Sequence, residues 1–138
     1  QASAMSFLNP LKVCVFSKVN AQLILEGQPV ANAKVTRRWH WGKEKFDEAV
    51  TDEKGYVHFL RYLNIPLPGV ADELVVGQQL SIVIDGEEKI FWSNAKRKAE
   101  ENSEFGGAPF SVVCELSDEE FLIEDYGALA VTMRKLQP

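Results

Sequence analysis

Histidines and nucleophile motifs, the features that most often mark an active site, are sparse in this sequence. It contains two histidines, His40 and His58, and neither belongs to an H-x-H or H-E-x-x-H pattern that places two imidazoles on one metal ion. Both alternate with apolar or aromatic neighbours, which predicts that they are surface residues of strands. The sequence also lacks a G-x-S-x-G nucleophile elbow, a P-loop and a dinucleotide-binding glycine motif. We therefore predict no enzymatic activity, no metal site and no cofactor.

The two cysteines, Cys14 and Cys114, each lie within an apolar, strand-like segment. They form no C-x-x-C pair, which argues against a redox motif or a zinc knuckle. Buried free thiols are the favoured prediction, because unpaired cysteine is among the most buried residue types. A disulfide between the two cysteines is the alternative.

Acidic side chains dominate the second half of the chain. The 138 residues include 20 acidic and 15 basic side chains, for a net charge of −5 at pH 7. Residues 1–69 hold nine basic and six acidic side chains, whereas residues 70–138 hold six basic and fourteen acidic ones. The candidate partner-binding residues of this half are Glu115, Asp118, Glu119, Glu120, Glu124 and Asp125. Their spacing fits no EF-hand loop.

Such an acidic run can steer and orient a basic protein surface, although a face that only confers solubility is the alternative. Nucleic acid is not the expected partner, because phosphate neutralisation needs clustered Lys and Arg. No apolar run approaches the ~20 residues that a membrane-spanning helix needs.

A second candidate partner-binding group is formed by Arg37, Trp39 and Trp41, which share one face if the strand alternation continues. Trp and Arg are the residues most enriched at interface hot spots. An arginine on this face suggests that the strand is leaving the core. In the alternative interpretation, the two tryptophans cap the core while Arg37 extends its charged end to solvent.

Strands must position these residues, because period-two alternation dominates the sequence. Strands are predicted over residues 19–25, 30–39, 56–60, 80–84, 90–92, 110–116 and 129–133, and polar residues 42–47 precede a further strand. Gly and Pro mark the turns between them. A three-residue loop over residues 85–87 would place Ile82 opposite Ile90 and Leu80 opposite Trp92, keeping the large apolar groups on one face.

Two segments have helical features. Residues 94–102 are the one charged, helix-like stretch, and a capping-box pattern at residues 117–120 predicts a helical turn through Asp125. Six to eight short strands with one or two short helices indicate an all-β fold, an antiparallel β-sandwich. We expect one domain over residues 5–138, with residues 1–4 a cloning remnant before a native start at Met5.

Two segments carry a resemblance to a known family. Residues 27–35 follow the pattern G-x-P-V-x-x-A-x-V, and residues 51–59 follow T-D-x-x-G-x-x-x-F. These patterns resemble transthyretin-like or carboxypeptidase-regulatory-like domains, and the whole chain resembles small stand-alone bacterial proteins built on that module. The resemblance implies an immunoglobulin-like sandwich but little about activity. An enzymatic relative, the transthyretin-like hydroxyisourate hydrolase, depends on several histidines and a C-terminal Tyr-Arg-Gly-Ser, which this chain lacks.

The sequence thus predicts a non-enzymatic module that binds another protein, such as an immunity protein that neutralises a secreted bacterial toxin with a basic surface. Two alternatives are a carbohydrate- or small-ligand-binding sandwich, with exposed Trp39, Trp41 and Trp92 as a stacking platform, and a hydrolase built on carboxylates. A homodimer through an open sheet edge is also compatible with the sequence. If Met5 is the native start the protein is expected in the cytoplasm, and otherwise in the periplasm.

Overall fold

The computed structural model describes residues 12–64, 74–117, 121–123, 128–130 and 132–135, the last three ranges by their backbone. The strands are β1 (Val13–Phe16), β2 (Val19–Leu25), β3 (Gln28–Pro29), β4 (Lys34–Trp41), β5 (Lys43–Val50), β6 (Tyr56–Phe59), β7 (Tyr62–Asn64), β8 (Val76–Ile84), β9 (Glu87–Lys96), β10 (Phe110–Glu115), β11 (Phe121–Ile123), β12 (Ala128–Ala130) and β13 (Thr132–Lys135). A single turn of 3-10 helix, Ser103–Phe105, follows β9. No helix in these ranges has the length and apolar character needed to cross a membrane. The predicted all-β class is confirmed.

The strands form three sheets. A six-stranded sheet has the order β11-β12-β9-β8-β4-β5, and a second sheet has the order β13-β10-β2-β3 with β6 also paired to β2. β1 and β7 form a two-stranded sheet. Pairing is antiparallel except between β2 and β10, which run parallel. This parallel pair departs from the antiparallel sandwich expected from the sequence.

One apolar cluster joins the three sheets. The ring of Phe16 from β1 lies 5.8 Å from that of Trp92 on β9, and Trp92 lies 4.8 Å from Phe110 on β10. Alternating residues of β2 and β8 fill the space around these rings, since each strand turns every second side chain inward. The sandwich-like packing follows from this shared core.

The β8–β9 hairpin differs in register from the prediction. Its turn contains two residues, Asp85 and Gly86, both with positive φ, and not three. A bulge between Leu80 and Ser81 then restores the predicted pairing of Leu80 with Trp92. Ile90 therefore lies opposite Ser81 and is 41% exposed, so its predicted place on the buried face is wrong.

The helix predicted over residues 94–102 is also wrong. β9 continues to Lys96, which pairs with Val76, and no helix forms over residues 97–102. The Lys96 side chain is buried at one end of the core, where its Nζ donates to the carbonyl of Glu100 at 2.7 Å and to the Ser103 hydroxyl. These contacts hold the following loop in a non-helical path.

The C-terminal elements divide differently from the prediction. Residues 121–123 form β11 in place of a helical turn, and the expected last strand over 129–133 is split between β12 and β13. β12 pairs with β9, whereas β13 pairs with β10 of the other sheet. The predicted cloning remnant and Met5 lie outside the described residues.

Candidate functional site

Arg37 lies inside the sandwich and ties β5 to the core. It is 2% exposed, and its Nε and Nη2 donate to the two carboxylate oxygens of Asp47 at 3.0 and 2.7 Å. Its Nη1 donates to the carbonyl of Leu60 at 2.8 Å, and its guanidinium carbon is 4.9 Å from the ring centres of Phe16 and Phe59. The expectations that the strand leaves the core here and that Arg37 reaches solvent are both wrong. The buried guanidinium thus holds two residues at the surface, Asp47 of β5 and Leu60, without itself being exposed.

The three tryptophans line the core and do not form an exposed platform. Trp39 is 6% exposed and Trp92 is fully buried, while Trp41 is half-buried against the core cluster. The Trp39 ring lies 4.7 Å from that of Tyr62. The prediction that Trp39 and Trp41 cap the core is confirmed. The exposure that sugar stacking on Trp39 and Trp92 requires is absent.

Glu115, the first residue of the acidic run, binds neighbouring turns. Its carboxylate accepts hydrogen bonds from the backbone N–H groups of Glu26 and Gly27 at 2.9 and 3.0 Å and from the hydroxyl of Ser117 at 2.8 Å. Burial favours a raised pKa for Glu115, but the hydrogen bonds from Ser117, Gly27 and Glu26 outweigh it and lower the pKa. Asp118, Glu119, Glu120, Glu124 and Asp125 lie outside the described residues.

A buried polar cluster centred on Glu104 closes one end of the core. The Glu104 carboxylate accepts hydrogen bonds from the Ser17 hydroxyl at 2.6 Å, the Ser17 N–H at 2.9 Å and the Gln78 amide at 3.0 Å. Lys96 Nζ lies 3.6 Å from the same carboxylate, and both side chains are buried. Sequence reasoning missed this cluster. The available signal was that Gln78 and Lys96 continue the inward alternation of Leu80 and Trp92.

An open cavity of about 830 Å³ adjoins this cluster at the end of β9. Its lining residues include Asn94, Lys96, Arg97, Glu100 and Ser103. Lys96 and Ser103 are hydrogen-bonded to each other, and the carboxylate of Glu104 behind them is fully engaged. The cavity therefore lies on the outer side of the loop that follows β9. The Glu104 cluster holds the inner side of the same loop against the core. No group of acidic, cysteine and histidine side chains among the described residues is arranged to hold a metal ion.

The outer face of the six-stranded sheet is covered by paired charges. Arg38 Nη1 donates to Glu88 at 2.6 Å, and Glu88 also accepts a hydrogen bond from Ser81 at 2.6 Å. The hydrogen bonds from Ser81 and Arg38 lower the pKa of Glu88. Lys34 Nζ lies 3.5 Å from Glu48 Oε2 in a second exposed pair. The charges of this face are thus largely matched within the chain.

β5 forms an open edge of the six-stranded sheet. Within the described part of the chain it pairs only with β4, over the whole length from Lys43 to Val50. Two of its side chains are apolar and exposed on the outer face: Phe46 at 63% and Val50 at 62%. The sequence assigned residues 42–47 to a polar connection, because alternation of charged residues with one phenylalanine does not stand out as a strand.

The histidines and cysteines lie where the sequence placed them. His40 and His58 are exposed strand residues, and His58 Nδ1 is 2.6 Å from the side-chain oxygen of Asn20. Cys14 and Cys114 are buried free thiols. Burial raises the pKa of both thiols, to about 12 for Cys114.

Residues 19–119 match the family described as "Domain of unknown function (DUF6795)". The chain belongs to this family. The matched region of this DUF6795 member runs from β2 to just beyond β10. It contains β5, Arg37 and the Gln78, Lys96 and Glu104 members of the buried polar cluster, whereas Ser17 precedes it. Glu120, Glu124 and Asp125 lie beyond it. No curated protein is significantly similar to the chain.

Proposed function

We propose that this protein is a non-catalytic protein-binding module that takes up a strand of its partner along β5. The observation that carries the proposal is an eight-residue edge strand, paired on one side among the described residues, with Phe46 and Val50 exposed beside its free backbone groups. Strand addition to such an edge gives affinity through main-chain hydrogen bonds and specificity through side chains on the two faces.

The free backbone groups of β5 can be assigned from its neighbour. The N–H of Thr51 donates to the carbonyl of Ala33 at 2.9 Å, toward the β4 side. Because successive peptide groups of a strand alternate in direction, the N–H groups of Ala49 and Asp47 also face β4. Those of Glu48 and Phe46 then face outward, where a partner strand would pair.

The edge is rigidly presented, which favours binding with little ordering cost. The bidentate Arg37–Asp47 contact holds the middle of β5 from inside the core. The same arginine holds the carbonyl of Leu60, whose side chain is 81% exposed. Phe46 and Val50 supply apolar contact area on the outer face of the edge.

The test uses two substitutions at one position. Glu48→Pro removes an outward N–H, whereas Glu48→Gln removes the charge and keeps the N–H. The tagged full chain and both variants are used as bait in lysate of the source organism, after circular dichroism has shown that each variant is folded. A protein retained by the wild type and Glu48→Gln but lost from Glu48→Pro supports strand addition. Identical captured proteins for all three, with no self-association, would contradict it.

A basic partner, such as a toxin that this protein neutralises, is a finer proposal supported by charge. Residues 70–138 carry fourteen acidic and six basic side chains, and Glu115 holds the start of the acidic run against the β2–β3 turn. Reversal of Glu119 and Glu120 to Lys should weaken such binding strongly, since opposite charges steer association. Unchanged affinity after that double reversal would argue against acidic docking.

A relation to transthyretin-like or carboxypeptidase-regulatory-like domains is also a proposal. It is supported by the roles of two pattern glycines. Gly27 has a φ of 80° in the β2–β3 turn, and Gly55 has a φ of 84° with the Leu23 carbonyl 2.5 Å from the position of a Cβ. A solved structure of a DUF6795 member that superimposes on a transthyretin-like domain strand by strand would support the relation.

A further inference from the structure

We infer that the strand taken up by β5 is β5 of a second copy of this chain, in an antiparallel pair centred on Glu48. In this pair Phe46 of each copy faces Val50 of the other. The inference rests on the proposed function, because it names the partner of the same edge. Its support lies in the backbone directions of β5, its apolar side chains and its charges.

The backbone directions allow a symmetric pair. The outward peptide groups belong to the even-numbered residues of β5, and a two-fold axis through Glu48 brings even-numbered residues opposite one another. Phe46 pairs with Val50 of the second copy, Glu48 with Glu48 and Val50 with Phe46. Three such pairs form about six main-chain hydrogen bonds. The two six-stranded sheets then become one continuous sheet.

The apolar side chains favour this register over its neighbours. With the axis at Glu48, both exposed apolar residues of each strand lie opposite an apolar residue. With the axis at Phe46, the two phenylalanines meet, but Val50 faces Gly42 and Glu44 faces Glu48 twice. With the axis at Asp47, Phe46 faces Glu48 twice. Only the Glu48-centred pair matches every exposed apolar residue of the strand.

The charges of the central pair are compensated within each copy. Two Glu48 carboxylates meet at the axis, which by itself is unfavourable. Lys34 Nζ lies 3.5 Å from Glu48 Oε2, however, so the centre contains two lysines and two glutamates. An axis at Lys45 would bring two lysines together with no such partner, since Lys45 Nζ faces the Tyr62 hydroxyl at 3.4 Å. Charged edge residues thus disfavour other registers and non-specific aggregation.

The arrangement closes on itself. Each copy offers the same strand, so the contact is isologous and ends at two copies. The opposite end of the six-stranded sheet, β11, is not used. A dimer and not a filament is therefore expected.

The experiment combines sedimentation with cysteine cross-linking of the full chain. Wild type should sediment at twice the 15.5 kDa chain mass, and Phe46→Glu/Val50→Glu should weaken association roughly tenfold or more. Each new glutamate lies opposite a cation of β4 (Arg38 for Phe46, Lys34 for Val50), so the variant should fold. Glu48→Cys should form an intermolecular disulfide under mild oxidation, because paired Cα atoms at the axis are ~5.5 Å apart.

Glu44→Cys is the matched control on the same face of the same strand. In this register the two Cα atoms of Glu44 are roughly 27 Å apart, so no disulfide can form within the dimer. The native thiols are buried and do not compete. A disulfide at Phe46→Cys but not at Glu48→Cys would overturn the register.

The outcomes separate this inference from the proposed function. A wild-type monomer at concentrations well above micromolar overturns the second copy as partner. If the wild type is monomeric but captures a protein that Glu48→Pro does not capture, strand addition to β5 is supported with that protein as the partner. If the wild type is monomeric and Glu48→Pro changes nothing, both fail. A dimer that the Phe46→Glu/Val50→Glu variant leaves intact also overturns the inference, because association then uses another surface.

Discussion

Replacing Glu104 by Gln should destabilise the fold strongly, because the carboxylate is the centre of the buried polar cluster. It accepts three hydrogen bonds from Ser17 and Gln78 and lies 3.6 Å from Lys96 Nζ. A glutamine amide is similar in shape but places an NH2 group where an oxygen accepted a hydrogen bond. It also leaves the Lys96 side chain, which is 2% exposed, without a countercharge.

The expected loss is large compared with the stability of a small domain. Removing one partner of a buried ion pair costs about 3–5 kcal/mol, whereas small domains have total stabilities of roughly 5–15 kcal/mol. At this chain length each kcal/mol shifts the melting temperature by about 3 °C, so a decrease of roughly 10–15 °C is expected. The double variant Lys96→Met/Glu104→Gln should recover part of the loss, since it removes both buried charges.

The measurement is equilibrium unfolding in urea, followed by far-ultraviolet circular dichroism and tryptophan fluorescence. Glu101→Gln is the matched control, because Glu101 is in the same loop but forms an exposed pair with Arg61 at 2.8 Å. Exposed pairs contribute less than about 1 kcal/mol. If Glu104→Gln and Glu101→Gln unfold within about 1 kcal/mol of each other, the argument that Glu104 holds the end of the core is wrong.

Three further predictions concern turns, pH and thiols. Gly55→Ala should lower the free energy of unfolding in urea by more than about 2 kcal/mol, because a Cβ there would lie 2.5 Å from a backbone carbonyl. Gly86→Ala is the control, since Gly86 has a similar φ in open space, and it should cost about 1 kcal/mol. Equal losses for the two variants would contradict the close approach at Gly55. The pKa of Glu115 is lowered from 4.5, so its contribution is present above that pH and is lost as the pH falls through the folded-state pKa. Glu115→Gln should therefore make the free energy of unfolding depend less on pH below pH 4.5. The same pH dependence in the variant and the wild type would refute a stabilising role for the Glu115 carboxylate. Cys14 and Cys114 should react with a thiol reagent only after denaturation, as both are buried, and rapid reaction of the native chain would show otherwise.

The strand class and the inward or outward direction of many side chains follow from the sequence alone. Val19, Ala21 and Leu23 alternate, and all three are fully buried. The pairing of Leu80 with Trp92 is likewise confirmed. Alternation is a local property of extended backbone, so it can be read from neighbouring residues without knowing the fold.

Local composition misled where distant residues decide the conformation. Residues 94–102 have a helical composition, but Lys96 pairs with Val76 as the end of a strand and its side chain enters the core. The two-residue turn of the β8–β9 hairpin sets Ile90 opposite Ser81, and the extra residue of the bulge then returns Trp92 to its place opposite Leu80. Neither the strand partner nor the bulge is encoded in a short window of residues.

The partners of the charged residues were decided by the tertiary structure. The sequence alone placed Arg37 on the same face as Trp39 and the cysteines in apolar segments, and it determined the acidic second half of the chain. It could not show that Arg37 meets Asp47 across a strand pair, or that Glu104 meets Ser17, 87 positions away. Such contacts depend on how whole strands pair and pack, and a buried charge can be accommodated only where that packing supplies its hydrogen-bond partners.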